Sequence, residues 1–275
     1  MKTKEKIDHI VGWLKDYAEV SGRKVFVVGI SGGIDSAVTS ALCCLTGNRV
    51  YALNMPLESY VDDRNLAMVQ SGWLVERFDV EPSPMDYLRY HANHRMCRYD
   101  VRPRTVILDE VFREFRMLVG HEFLDDHAFA NSKSRLRMMV LYQVAGSVGG
   151  LVVGTGNRVE DFGVGFFTKY GDGGVDLSPI ADLYKSEVYE LGEVLEIDRR
   201  ILDARPTDGL WLDGRTDEDQ LGMSYSVLER CMKGKPTSIS PEASARHMDR
   251  FRELQKQNRH KMESIPVCLI PRKDI

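Results

Sequence analysis

The stretch Val25-Phe-Val-Val-Gly-Ile-Ser-Gly-Gly-Ile-Asp-Ser36 decides the reading of this chain. An apolar, β-type run ends in Ser31-Gly32-Gly33-Ile34-Asp35-Ser36, and a helix-type run from Ala37 to Leu45 follows. Glycines at a strand-to-helix junction let backbone N–H groups approach an anion, and the helix N-terminus adds its positive end. Ser31 and Ser36 bring hydroxyls. Asp35 brings a carboxylate, which belongs beside a bound anion only if a cation stands between them. The combination points to a nucleotide phosphate with Mg²⁺. It is neither the GxxxxGK[ST] loop, because no lysine follows the glycines, nor the GxGxxG turn. A Gly-Gly turn with an Asp cap is the plainer alternative, and the flanking strand, helix and paired serines weigh against it.

Working outward, the pattern alternates. Residues 4–20 read as a helix, Lys24–Ile30 as a buried strand and 36–46 as a helix. Val50–Met55 is a second apolar run, 62–72 can be helical, and Val75–Val80 is a weak strand. Residues 85–130 are mostly helix-like, with Ile107, Val111, Phe115 and Leu118 in one apolar stripe that suits core or dimer packing. Residues 131–147 form a helix with Leu136, Met139, Val140 and Val144 on one face, followed by the strand Leu151–Val153. Segments 186–195 and 241–257 are further helices, and the last fifteen residues form an extended tail. Such alternation predicts an α/β fold: one open parallel sheet with helices on both faces, in a single domain over 1–275. Ligands of these sheets bind beyond the carboxyl ends of the strands, where the loop after Ile30 lies.

Composition narrows the classes. Hydrophobic residues make up 43% and charged residues 28%, as in globular proteins, and the net charge of −4 offers no general attraction to nucleic acid or anionic membrane. No apolar run approaches the ~20 residues of a membrane helix, and the N-terminus has no signal-peptide core. The five cysteines, with Cys43 and Cys44 adjacent, do not form a disulfide framework, so a cytoplasmic home is expected. His91, His94 and Cys97 would share a helix face and could hold zinc, but no fourth ligand has suitable spacing. A polar surface or subunit contact is the better reading of that cluster.

A second constellation repeats the logic of the first. Gly154-Thr155-Gly156-Asn157 closes another strand, and Glu160 and Asp161 follow. Glu160 could share Mg²⁺ with Asp35 if the two strands end side by side, or could simply favour a helix dipole; spacing does not choose. The segment Gly165 to Gly174 is poor core material. Lys169 can meet a phosphate, Asp172 or Asp176 can accept from a ribose, and Phe166 or Phe167 can stack on a flat ring. Lys185 could reach another phosphate, although a lone lysine at a helix start is ordinarily solvated.

The motif SGGxDS resembles the PP-loop of the ATP pyrophosphatases, which split ATP between its α- and β-phosphates. The runs Asn131-Ser-Lys-Ser-Arg-Leu-Arg-Met138, Leu151-Val-Val-Gly-Thr-Gly-Asn-Arg-Val-Glu160 and Phe166-Phe-Thr-Lys-Tyr-Gly-Asp-Gly-Gly174 with Asp176 narrow the resemblance to the NAD synthetases. Pro206-Thr207 and His260-Lys261 agree with it. The resemblance implies an adenine nucleotide alpha hydrolase-like, Rossmann-like fold and an ammonia-dependent ligase. Such an enzyme adenylates the nicotinate carboxylate of deamido-NAD with ATP, and ammonia then displaces AMP to give NAD⁺. It implies ATP contacts at Gly29, Ile30, Ser31, Gly32, Gly33, Ile34, Asp35, Ser36, Thr155, Lys185 and Thr207, with Asp35 and Lys185 catalytic. It further implies Mg²⁺ on Asp35 and Glu160, deamido-NAD on Arg135, Lys169, Asp176, His260 and Lys261, and a homodimer. No glutaminase domain is expected in a chain whose synthetase motifs start by Gly29, and residues 83–104 match no motif of the family. The alternatives are another AMP-forming PP-loop ligase, a tRNA-modifying enzyme, or a nucleotide sensor without catalysis. Acidic charge and the lack of an RNA-binding appendage weigh against the tRNA option.

Overall fold

The computed structural model describes residues 1–78 and 101–271. The His91, His94 and Cys97 cluster lies outside the described residues, as does most of the 83–104 segment. Among the described residues four parallel strands form the sheet: β1 (Val25–Ile30), β2 (Arg49–Asn54), β3 (Val101–Thr105) and β4 (Leu151–Val153), in the order β3-β2-β1-β4. The register pairs Ile30 with Asn54, Asn54 with Thr105 and Val28 with Val153, so the carboxyl ends stand side by side.

Alternation along the strands sets the layers. Phe26, Val28 and Ile30 face α1 (Thr3–Val20), α2 (Ile34–Leu45) and α6 (Lys185–Val194). Val27, Leu53 and Val152 face α4 (Asp109–Val119) and α5 (Asp126–Val148) through Phe112, Phe129, Met138 and Leu141. The expected open parallel sheet with helices on both faces is therefore the observed architecture. A third apolar cluster joins a π-helical turn (Val159–Val164) to α9 (Tyr225–Met232) and α10 (Pro241–Met262), with Leu221 of the short α8 (Asp217–Leu221). It walls one side of the region beyond the strand ends.

Two sequence expectations are corrected. Residues 79 and 80 of the expected strand 75–80 lie outside the described residues, and residues 75–78 are helical, because α3 runs from Val61 to Phe78. Its buried residues Ala67, Gln70, Leu74 and Phe78 recur at intervals of three or four, so helical burial overrides the local strand reading. The third strand comes instead from Val101–Thr105, within the span read as mostly helical. Its register puts Pro103 opposite Ala52 at the sheet edge, the position where a residue without an N–H is tolerated. The opposite edge is covered locally by the segment around Leu177, whose carbonyl accepts from Gly154 N at 2.7 Å.

No described helix is long and apolar enough to cross a membrane.

Candidate active site

The strand order reverses between β1 and β4, because the chain leaves β1 toward β2 on one side and β4 joins it on the other. Such a switch point opens a crevice between the two strand-end loops. Both glycine-containing loops singled out in the sequence meet there.

The loop after β1 is held from within and from behind. Ser31 N donates to Ser36 Oγ at 3.2 Å, and Gly33 N donates to Ser31 Oγ at 3.2 Å. From α3, the fully buried Gln70 accepts from Gly32 N at 2.8 Å through Oε1, and its Nε2 donates to Ser40 Oγ at 3.2 Å. Gly32 has φ +86°, and a Cβ there would stand 2.5 Å from Ala67 N and Leu66 C. Gly32→Ala combines left-handed strain with a backbone clash, so it should cost about 2–4 kcal/mol. A urea midpoint unchanged from the parent protein would refute that packing.

At the crevice, Lys185 Nζ lies 2.5 Å from Asp35 Oδ2 and 3.1 Å from Glu160 Oε1. Lys185 starts α6, Asp35 lies in the first turn of α2, and Glu160 lies in the π-helical turn after β4. Asn157 joins the loops directly. Its Nδ2 donates to Asp35 Oδ1 at 3.0 Å, and its Oδ1 accepts from Val159 N and Glu160 N. Beyond Glu160, Tyr225 OH reaches Glu160 Oε1 at 2.6 Å and Asp217 Oδ2 at 3.0 Å. The structure thus brings Asp35, Glu160 and Lys185 together. Gln70, Asn157, Tyr225 and Asp217 complete the network, and none of these four was singled out from the sequence as a site residue. Asn157 alone carried a local signal, its place in a strand-end Gly-Thr-Gly-Asn loop.

The electrostatics are lopsided. Burial alone would lower the pKa of Lys185, but Asp35, Glu160 and Asp217 outweigh it and hold the ammonium charged. Burial raises Glu160 against the pull of Lys185. Burial, with Glu160 next, pushes Asp161 and Asp217 each up to about 8. Three carboxyl groups therefore converge on one lysine, with Asp161 beside Glu160, a crowding of acidic groups that a further cation would relieve. Hard carboxylate oxygens suit Mg²⁺. No cluster of three or more protein ligands exists among the described residues, so a metal there would take its remaining ligands from substrate or water. With that condition the donor set fits Mg²⁺.

Gly29–Ser36, Thr155, Glu160, Lys185, Thr207 and Lys261 all line one cavity of about 430 Å³. Thr207 Oγ1 is 3.1 Å from Asp63 Oδ1, which ties its loop to α3. The residues expected to meet a dinucleotide are more dispersed. Arg135 Nε donates to Lys169 O at 3.2 Å, and Lys169 Nζ donates to His260 O at 2.7 Å, a chain along the rim. Lys261 Nζ donates to Gly165 O and Phe167 O, each at 2.9 Å. Asp176 stands apart: its Oδ2 accepts from Val152 N at 2.8 Å, and its Oδ1 accepts from Tyr142 OH. Arg137, half of the Arg-Leu-Arg run, donates to Met55 O and Ser59 Oγ and lines the same cavity.

A family model described as NAD synthase matches residues 6–265. The NH3-dependent NAD⁺ synthetase of Archaeoglobus fulgidus is 33% identical, with 98% of each chain covered. That of Thermoplasma acidophilum is 38% identical over 83% of each. Among solved structures, the NMN synthetase of Francisella tularensis superposes with a TM-score of 0.80 at 30% identity, covering 98% of this chain and 99% of that one.

Proposed function

The chain belongs to the NAD synthase family, and from that premise we propose how its crevice divides the work. It is an ammonia-dependent ligase that makes NAD⁺ by ATP-dependent amidation of deamido-NAD. The observation that carries the site assignment is the meeting of Lys185, Asp35 and Glu160 between the two strand-end loops. A carboxylate is a poor electrophile, so it must first be given a leaving group. The nicotinate carboxylate attacks the α-phosphate of ATP, pyrophosphate leaves, and ammonia then displaces AMP. The Gly29–Ser36 loop holds the phosphates through the first-turn N–H groups of α2, since the N–H groups of Ser31, Gly32 and Gly33 are used within the loop and by Gln70. The Lys185 ammonium, fixed by two carboxylates, stabilises the charge that grows on departing pyrophosphate. Asp35 and Glu160 would hold Mg²⁺, which when bound neutralises phosphate charge. Asn157 orients Asp35 and fixes the backbone that carries Glu160. Thr155 and Thr207 border the ATP side, while Arg135, Lys169, Asp176, His260 and Lys261 serve the dinucleotide. No covalent enzyme intermediate is required, and alignment of the carboxylate with the α-phosphate contributes much of the rate.

The likeness to an NMN synthetase over nearly the whole of both chains favours a second acid acceptor, nicotinate mononucleotide. Purified protein with ATP, Mg²⁺ and ammonium should form AMP when deamido-NAD is added. If kcat/KM is higher for the mononucleotide, that becomes the substrate; no AMP with either acid would remove the ligase reading.

We further propose that the protein works in the cytoplasm, as one catalytic domain, and as a homodimer joined through α4 and α5. Val111, Phe115, Met117 and Leu118 of α4 and Met139 and Tyr142 of α5 are exposed apolar side chains, more than one helix pair ordinarily leaves in water. Sedimentation velocity should give a dimer, and a monomer at micromolar concentration would end that assignment.

A further inference from the structure

A second cavity lies behind the lysine. Thr216, Glu218, Asp219, Ser226 and Glu229 line it, and it shares Lys185, Tyr189, Arg205 and Pro206 with the first. These four shared residues form the partition. Asp217 sits beside it: its sequence neighbours Thr216 and Glu218 face the second cavity, while Asp217 itself lines the first. Asp217 is only 5% exposed. Its Oδ2 accepts from Tyr225 OH, but its Oδ1 has no hydrogen-bond partner. An unsatisfied buried carboxylate oxygen is costly unless a donor reaches it during the working cycle.

The missing donor can be characterised. It must be small, because Asp217 is almost enclosed. It must carry N–H or O–H groups, because Oδ2 is already taken by Tyr225 OH and Oδ1 has no partner. A divalent metal is the weaker candidate, since no three-ligand cluster includes Asp217 and Lys185 already occupies the space between Asp35 and Glu160. Ammonium meets each requirement, with four donors on one atom. Access points the same way. Once ATP and the acid substrate fill the front cavity, the ammonium that supplies the last nucleophile, ammonia, needs another way in. The second cavity has a mixed polar lining whose charges are mostly engaged. Glu229 pairs with Lys233 and accepts from Ser186, Arg230 donates to Pro236 O, Glu218 accepts from Tyr225 N, and Asp219 accepts from Thr216. Such a lining admits a small polar molecule without trapping it.

We propose that the cavity behind Lys185 is the side entrance for ammonium, and that Asp217 Oδ1, on the front side of the partition, receives it and takes up the proton it must lose before ammonia attacks the activated carboxyl group. The inference rests on the ligase reading above, so the experiment separates the two. Adenylation is followed as ATP–pyrophosphate exchange dependent on the acid substrate with no ammonium present. Amidation is followed as a function of ammonium chloride concentration. Ser226 is exposed at the start of α9, so Ser226→Trp should fold and obstruct the entrance. It should raise KM for ammonium several-fold and leave exchange at the parental rate. Asp217→Asn should raise KM for ammonium at least about tenfold more than it slows exchange. Parental KM for ammonium in both variants would overturn the proposal and leave the oxygen to a water molecule. A proportional fall in exchange would overturn it too, by assigning Asp217 to adenylation. Absence of exchange in the unaltered protein would count against the ligase reading instead.

Discussion

Asp35→Ala should abolish acid-dependent pyrophosphate release, with a loss of at least about 10³-fold, while the protein stays folded. The magnitude follows from where Asp35 stands. It is the only carboxylate of the β1 loop, it holds Lys185 Nζ at 2.5 Å, and Asn157 keeps its other oxygen in place. Removing it frees the lysine from one of its two anchors and deletes one of two proposed Mg²⁺ ligands. Positioning and charge neutralisation fail together, so their effects on rate multiply. Stability should change little. The side chain lies at the crevice surface with 16% exposure, and Lys185 keeps Glu160 as its counter-ion. Circular dichroism and a urea melt would establish folding, and radiolabelled pyrophosphate release the activity. Asp35→Asn, which keeps the shape and most hydrogen bonding, should lose nearly as much if charge is what matters. Release at the parental rate in either variant would take Asp35 out of the chemistry.

How much of this crevice could be read from the sequence depends on how local each signal was. The β1 strand, the glycine turn and the start of α2 are contiguous, so Val25 to Ser36 disclosed both the fold class and the phosphate side of the site. Glu160 was ambiguous because its meaning depends on β4 lying next to β1, a fact of sheet order that spacing does not encode. From spacing alone Lys185 read as a solvated helix lysine, and only the family resemblance placed it at the ATP; it is buried where three carboxylates from distant segments converge on it. Gln70 and Tyr225 were invisible for the same reason. Each sits in a helix with no motif of its own and acts on a loop more than thirty residues away in sequence. The strand expected at 75–80 gave way over residues 75–78 to α3, where the buried Leu74 and Phe78 follow helical spacing and the single β-branched Val75 is no strand signal. The real third strand, Val101–Thr105, contains a proline and alternating arginines, and reads as strand only once it pairs with β2.

Lys185→Met should remove activity to the same degree as Asp35→Ala but, unlike it, should also destabilise the protein. The methionine keeps the apolar stem and loses the charge. Without the ammonium, Glu160 and Asp35 face each other, and Asp217 stands close behind Tyr225, with no cation among them. Breaking a buried ion pair from one side costs about 3–5 kcal/mol, because the remaining charge is left uncompensated. The penalty should depend on pH in a defined direction. In the parent protein the Lys185 pKa is raised by folding, so its contribution is fully present at neutral pH and fades only as alkaline pH approaches the folded value. In the variant the carboxylates decide the outcome. Glu160 is already raised by burial, and losing Lys185 removes the largest influence that lowers it. A carboxyl raised by folding favours the folded state at low pH and opposes it as pH climbs through the raised value. Thermal melts without ATP or metal, with EDTA present, should therefore show the gap between variant and parent widening from pH 5 to pH 8. Equal gaps at both pH values would mean that the carboxylates escape to solvent when the lysine is gone, and that the crevice is wetter than its buried lysine indicates.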